Sequence, residues 1–273
     1  MKKIEIYFVV FILGIAGCET IVDADKLISE GNKLVVNSVI SPTDSLINVE
    51  VSRSIPILGT KSYIDYDADI VKDATVIISD GENEMELFFE PDLNMYAILS
   101  ASMPITEGKT YSLVVSSNNE VVTANCTVPF GTSADDILAD DSPNDRGAVF
   151  NISWVDIMGD KSYYQLNFDY RIQESGSSSS YSNNYFKSDE NDNITKFSVT
   201  EFSDFWGNTS NAAREIDVIL FSVDENYFKY QKQLDNLQDE NPFGEPTRLH
   251  TNIEGGLGLF GAVVRTDKNF IFN

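Results

Sequence analysis

The residues whose spacing could do chemistry stand near the end of the chain. Gly256, Gly258 and Gly261, within "GGLGLFGA" (255–262), spell G-x-G-x-x-G. That is the spacing of a loop that cradles a dinucleotide pyrophosphate. Such a loop needs a strand before it, a helix after it and an acidic residue about twenty positions on. Twelve residues follow Gly261, and "AVVRTDKNFIFN" is β-rich, so no βαβ unit fits. No nucleotide is expected. Gly255, Gly256, Gly258 and Gly261 are read as backbone devices, for positive φ, close approach or a bulge in a closing strand.

Other chemistries have fewer residues to draw on. A Ser-His-Asp relay would have to use His250, the one histidine, and neither G-x-S-x-G nor S-x-x-K occurs. One histidine also excludes H-E-x-x-H, and two cysteines, Cys18 and Cys126, exclude a thiolate-rich zinc site. Two acidic runs imitate a calcium loop: Asp65, Asp67 and Asp69 in "DYDAD", and Asp189, Asn191 and Asn193 in "DENDN". Both match the first three ligand positions of an EF-hand. Both fail at the sixth, where Ile70 and Ile194 replace glycine, and at the twelfth, where Val76 and Thr200 replace glutamate. They are weak calcium candidates beside the reading of solvated acidic loops, and neither a resident metal nor a cofactor is expected. Carboxylates abound, which leaves a two-carboxylate glycan hydrolase as an alternative, but no pair is marked out. Phe202, Phe205 and Trp206 in "EFSDFWGN" would stack a ring or anchor a partner if exposed; a core edge is the reading preferred here.

The start of the chain gives an address. Lys2 and Lys3, an apolar run from Ile6 to Ala16 and the small residues before Cys18 are the parts of a secretory signal. Eleven apolar residues rise about 16 Å as a helix, short of the roughly 30 Å of a bilayer core. "IAGC" (15–18) resembles the lipobox of bacterial lipoproteins. That resemblance implies cleavage after residue 17 and acyl chains on Cys18, which would hold the protein to the outer membrane. Cys126 then has no partner and reads as a small buried residue. Removing residues 1–17 takes away Lys2, Lys3 and Glu5 and leaves 17 basic against 42 acidic residues, a formal charge of −25. Such a surface repels nucleic acid. Glu19, Asp23 and Asp25 resemble the surface-export signal of Bacteroidota lipoproteins, which implies display on the cell surface.

The elements that must position these residues are mainly strands. A tether (18–31) precedes short β-rich runs at 33–40, 46–54, 73–79, 85–90, 95–100, 110–117 and 120–128. Ile47, Val49 and Val51 alternate with Asn48 and Glu50, and Asp80-Gly81 and Asn118-Asn119 mark turns. Seven strands over residues 32–130 predict an immunoglobulin- or fibronectin-like sandwich. Tyr111, after Gly108, stands either at a tyrosine corner or simply as a half-buried strand tyrosine. Residues 131–146, with five aspartates, read as an acidic linker. A second β-rich domain is expected over 147–273, with strands near 148–155, 162–172, 194–202 and 214–222. The serine-rich stretch 174–193 reads as a loop. One amphipathic helix is expected over 223–239, with Ser222 and Glu225 as capping box and Val223, Tyr227, Tyr230, Leu234 and Leu237 along one face.

The lipobox, "KLVVNSVI", "VKDATVIISDG", "GKTYSLVV", "YFKYQKQLDN" and "NPFGEPTRLHTNIEGGLGLFGA" together resemble a family of uncharacterised Bacteroidota lipoproteins, often encoded beside TonB-dependent receptors. The resemblance covers the mature chain and implies an outer-membrane lipoprotein with no known reaction. The expectation that follows is a non-catalytic accessory or ligand-capture partner of a TonB-dependent transporter. The alternatives are a cell-surface adhesion or structural module, and the glycan hydrolase.

Overall fold

The computed structural model describes residues 32–55, 69–144, 147–157, 161–174, 177–189, 194–204, 213–237 and 249–272. The signal segment 1–17, the tether 18–31 with Cys18, and Asp65, Asp67, Asn191, Asn193, Phe205 and Trp206 lie outside them. The chain divides into Met1–Asn32 with Ile55–Tyr63, and Lys33–Ser54 with Ile64–Asn273; the elements that follow belong to the second unit.

Alternating burial builds most of the first seven strands: β1 (Leu34–Ile40), β2 (Leu46–Arg53), β3 (Thr75–Ser79), β4 (Glu84–Glu90), β5 (Met95–Leu99), where Tyr96 and Ala97 are both buried, β6 (Thr110–Ser117) and β7 (Glu120–Thr127). Leu34, Val36 and Ile40 of β1 and Ile47, Val49 and Val51 of β2 enter one core with Val76, Ile78, Leu113 and Val115. Asn118 and Asn119 both have positive φ (51° and 65°), as a two-residue hairpin between β6 and β7 demands. Tyr111 is fully buried, and its hydroxyl donates to the Pro104 carbonyl 3.0 Å away and accepts from the Thr106 N–H. That is the bonding of a tyrosine corner.

The later strands are β8 (Ile137–Asn144), β9 (Gly147–Val155), β10 (Tyr163–Glu174), β11 (Ser177–Ser188), β12 (Lys196–Asp204), β13 (Ala213–Val223) and β14 (Leu257–Phe272), with helix α1 (Glu225–Leu237) before β14. The molecule is mainly β. One sheet has eleven strands in the order β11-β10-β13-β14-β1-β2-β5-β4-β3-β6-β7, and a second has the order β12-β9-β8. A second core, built on Phe150, Ile152, Trp154, Leu166, Tyr170 and Ile216, draws on both sheets.

Strand β14 joins the two parts. Leu257–Ala262 pair parallel with Val35–Ile40 of β1, and Val263–Phe272 pair antiparallel with β13. Phe260, Ala262 and Val264 are buried in the first core, while Phe270 and Phe272 pack against the second. The division at 131–146 is therefore crossed by one continuous strand.

Three expectations are corrected. Within the expected acidic linker, a short turn at Ala134–Asp136 is followed by a strand, Ile137–Asn144, which forms β8 along β9. Ile137 is buried, and the carboxylate of Asp141 pairs with Arg214 at 2.5 Å, both side chains nearly inaccessible. Pairing lets an aspartate-rich run enter a core. Within the expected loop, Ser177–Ser188 are a strand instead: they pair with β10 along its whole length, and Tyr181 and Tyr185 pack against the second core. Finally, α1 begins at Glu225, not 223. Val223 ends β13 and Ser222 lies within it, so Ser222 is no cap. No helix among the described residues is long and apolar enough to cross a membrane.

Candidate functional site

Asp224 sits between β13 and α1 and holds three elements together. Its Oδ1 accepts the N–H groups of Asn226 (2.7 Å) and Tyr227 (3.1 Å), which makes it the helix cap. Its Oδ2 accepts the Ala262 N–H of β14, and its own N–H donates to the Ala262 carbonyl at 3.0 Å. Gly261 permits this approach, because a Cβ there would lie 3.1 Å from Tyr227 Cβ and 3.2 Å from Asp224 Oδ2. Burial pushes the Asp224 carboxyl up to about 6, against the lowering effect of those N–H groups, and the Glu225 charge adds to the rise. Burial also pushes the Cys126 thiol well up, with Asp224 adding to it, so that thiol is held neutral.

Beside Asp224 opens a cleft of about 560 Å³. It is lined by Gly108 and residues 127–130, by Ile157 and residues 161–164, and by Ser222 to Glu225. The Tyr164 hydroxyl donates to Asp156 at 2.8 Å and accepts from the Ile157 N–H, and burial pushes it up to about 12. Tyr163 packs on Phe228, ring centroids 5.1 Å apart. Glu225 pairs with Lys229 at 2.6 Å, which holds its carboxyl below its ordinary value, and Lys161 lowers it further. Each acidic group here is bonded to the fold, so the arrangement is that of a cleft with a more apolar than polar lining and a charged rim.

Of the residues singled out from the sequence, Ser222, Val223 and Glu225 line the cleft and Gly261 packs on Asp224; Gly255, Gly256, Gly258, Asp69, Asp189 and Phe202 lie elsewhere. Gly255 (φ +84°) and Gly258 (φ +107°) take conformations that favour glycine. A Cβ on Gly256 would lie 2.7 Å from the Leu34 carbonyl oxygen, and one on Gly258 2.1 Å from that of Val36. Asp189 closes the β10–β11 pair by accepting the Ser162 N–H at 2.6 Å, and Asp69 sits just before the Ile70 bridge to Ser52. Among the described residues no group of three His, Cys, Asp or Glu is placed to hold a metal. Phe202 of β12, opposite Val149, is 49% exposed, which overturns the core-edge reading for that residue. None of these residues lines the cleft. His250 bonds through Nε2 to Asn226 Oδ1 (3.0 Å), and burial lowers its pKa. Phe130, Tyr163, Ser222 and Asp224 were missed as a set. Asp224 carried a signal, an aspartate directly before the first helical residue. Phe130, between Pro129 and Gly131, carried none.

A family model described as a domain of unknown function (DUF4249) matches residues 20–269. No curated protein matches. Among solved structures, the C-terminal globular domain of an oligosaccharyltransferase from Pyrococcus abyssi is similar at 12% identity and a TM-score of 0.17, over 89% of this chain. The chain spans about half, 49%, of that structure.

Proposed function

The chain belongs to the DUF4249 family, and on that premise we propose that it is a non-catalytic, lipid-anchored outer-membrane protein that captures a ligand for, or otherwise assists, a TonB-dependent transporter. The observation that carries the reading is the cleft beside Asp224. Its acidic residues, Asp224 and Glu225, are engaged by backbone N–H groups and a lysine, and its lining is more apolar than polar. Residues so engaged favour holding a molecule over transforming it. Anchoring through Cys18, surface display and the transporter association come from the resemblance of the N-terminus and of the tail motif. The order β1-β2-β5-β4 followed by β3-β6-β7, with the Tyr111 bonding, supports an immunoglobulin-like arrangement of the first seven strands.

The test is affinity purification of the lipidated protein from its own membranes. A TonB-dependent receptor is expected to come with it; recovery of the protein alone would overturn the transporter role. Cys18→Ser should release the protein from the membrane fraction or leave it unprocessed, and unchanged anchoring of the mature form would sink the lipoprotein reading. One observation favours an adhesion module as second reading: Leu138, Val149, Val155 and Phe202 of the three-stranded sheet are exposed.

A further inference from the structure

Phe130 is 58% exposed at the wall of the cleft, yet the backbone around it is pinned. The Gly131 N–H donates to Glu107 Oε2 at 3.1 Å, and Gly131 is pressed so closely on Val264 that a Cβ would lie 2.6 Å from Val264 Cγ1. On the other side Gly108, at φ +76°, donates to the Val128 carbonyl at 2.8 Å. The tip of the phenyl ring is lodged against it, since a Cβ on Gly108 would lie 2.7 Å from Phe130 Cζ. An aromatic ring held this way is ordered before anything binds, so little freedom remains to be lost on contact.

The polar groups of the cleft narrow the ligand. Ser222 is only 3% exposed, and its Oγ finds no hydrogen-bond partner among the described residues. A buried hydroxyl in that state gains from a group that both gives and takes a hydrogen bond. At the rim Lys161 can only donate and ionised Glu225 can only accept. Ligand hydroxyls satisfy both at once. Charge sorts the candidates further: an anion meets Glu225 and a chain of formal charge −24, whereas a cation finds both carboxylates already engaged, Glu225 by Lys229 and Asp224 by backbone N–H groups.

We propose that this cleft binds an uncharged ring with an apolar face and hydroxyls along its edge, a saccharide unit lying on Phe130 with its polar edge toward Ser222, Lys161 and Glu225. The inference rests on the ligand-capture reading and deepens it. The purified full-length chain is titrated by calorimetry with cellobiose, maltose, lactose and xylobiose, and with indole as a ring lacking hydroxyls. At least one disaccharide should bind saturably. Phe130→Ala should weaken it tenfold or more without moving the melting temperature, Phe130→Trp should keep it, and Ser222→Ala should weaken it. Binding of no disaccharide, binding of indole alone, or full binding by Phe130→Ala would overturn the proposal. If the disaccharides fail while a receptor still co-purifies, the saccharide falls and the accessory role stands; binding without a receptor does the reverse.

Discussion

Gly258 shows how a residue can look chemical and be mechanical. Its positive φ lets β14 lie against β1 at a distance no side chain permits, since Val36 O occupies the place of a Cβ. Gly258→Val should cost at least 1–3 kcal/mol, roughly 2–4 °C of melting temperature per kcal/mol. Gly81→Ala is the control: φ is +86°, nothing lies within 4 Å, and only the backbone conformation resists, about 1–2 kcal/mol. Equal losses would refute the close-approach account. Asp224 gives a prediction in pH. Its folded pKa of about 6 lies above the ordinary 3.8, so the fold binds this proton more readily than the unfolded chain does. This group therefore contributes most stability below 3.8, and that contribution is lost as pH rises towards 6. Between pH 6 and pH 5 the parent should gain on Asp224→Asn by about 1 kcal/mol, read from paired thermal melts. Parallel pH profiles for the two would contradict it. The glycines were legible because their spacing is a pattern. Asp224 was passed over because Ser222 and Glu225 offered a ready capping box three residues apart, and only the strand ending at Val223 disqualifies it.

At the scale of elements, helix α1 is held by one deep anchor. Phe228 is buried with Tyr163, Val223 and Val263, and its ring meets Tyr163 at 5.1 Å and Phe186 at 5.9 Å. Phe228→Ala should cost about 3–5 kcal/mol and raise hydrogen exchange over 225–237 above that of β6 and β7. Uniform loosening would mean that the helix is not a separate layer. The strands of the first core were legible because most alternate with period two, as β1, β2 and β6 do, and β6 lies at 110–117 as expected. Two elements were hidden by composition. In β8 the core positions are Ile137 and Ala139, and its buried Asp141 side chain is admitted by Arg214, seventy-three positions away, while Asp140 is exposed. In β11 only Tyr181, Tyr185 and Phe186 carry apolar surface among serines and asparagines, and the full pairing with β10 supplies what composition lacks. Both depend on partners remote in sequence, which a local window does not contain.

At the scale of the molecule, the paired cores share one strand. Urea unfolding followed by tyrosine and tryptophan fluorescence should show one transition with backbone ellipticity, since Trp154, one of the two tryptophans, lies in the second core and Tyr111 in the first. Two separated transitions would show that β14 does not couple them. The cleft itself was illegible beforehand, because its walls come from residues 108–130, 157–164 and 222–225, which meet only once both cores are placed. Strand β14 also sets an order of events. Its first half is the neighbour of β1, which lies more than two hundred positions earlier. Until residues 257–262 arrive, β1 offers an unsatisfied edge to any other chain, a template for misassembly. A polypeptide threaded through an export channel from its N-terminus would thus carry that edge exposed for most of its passage. Closure comes late, through a contact of very long range that slows folding.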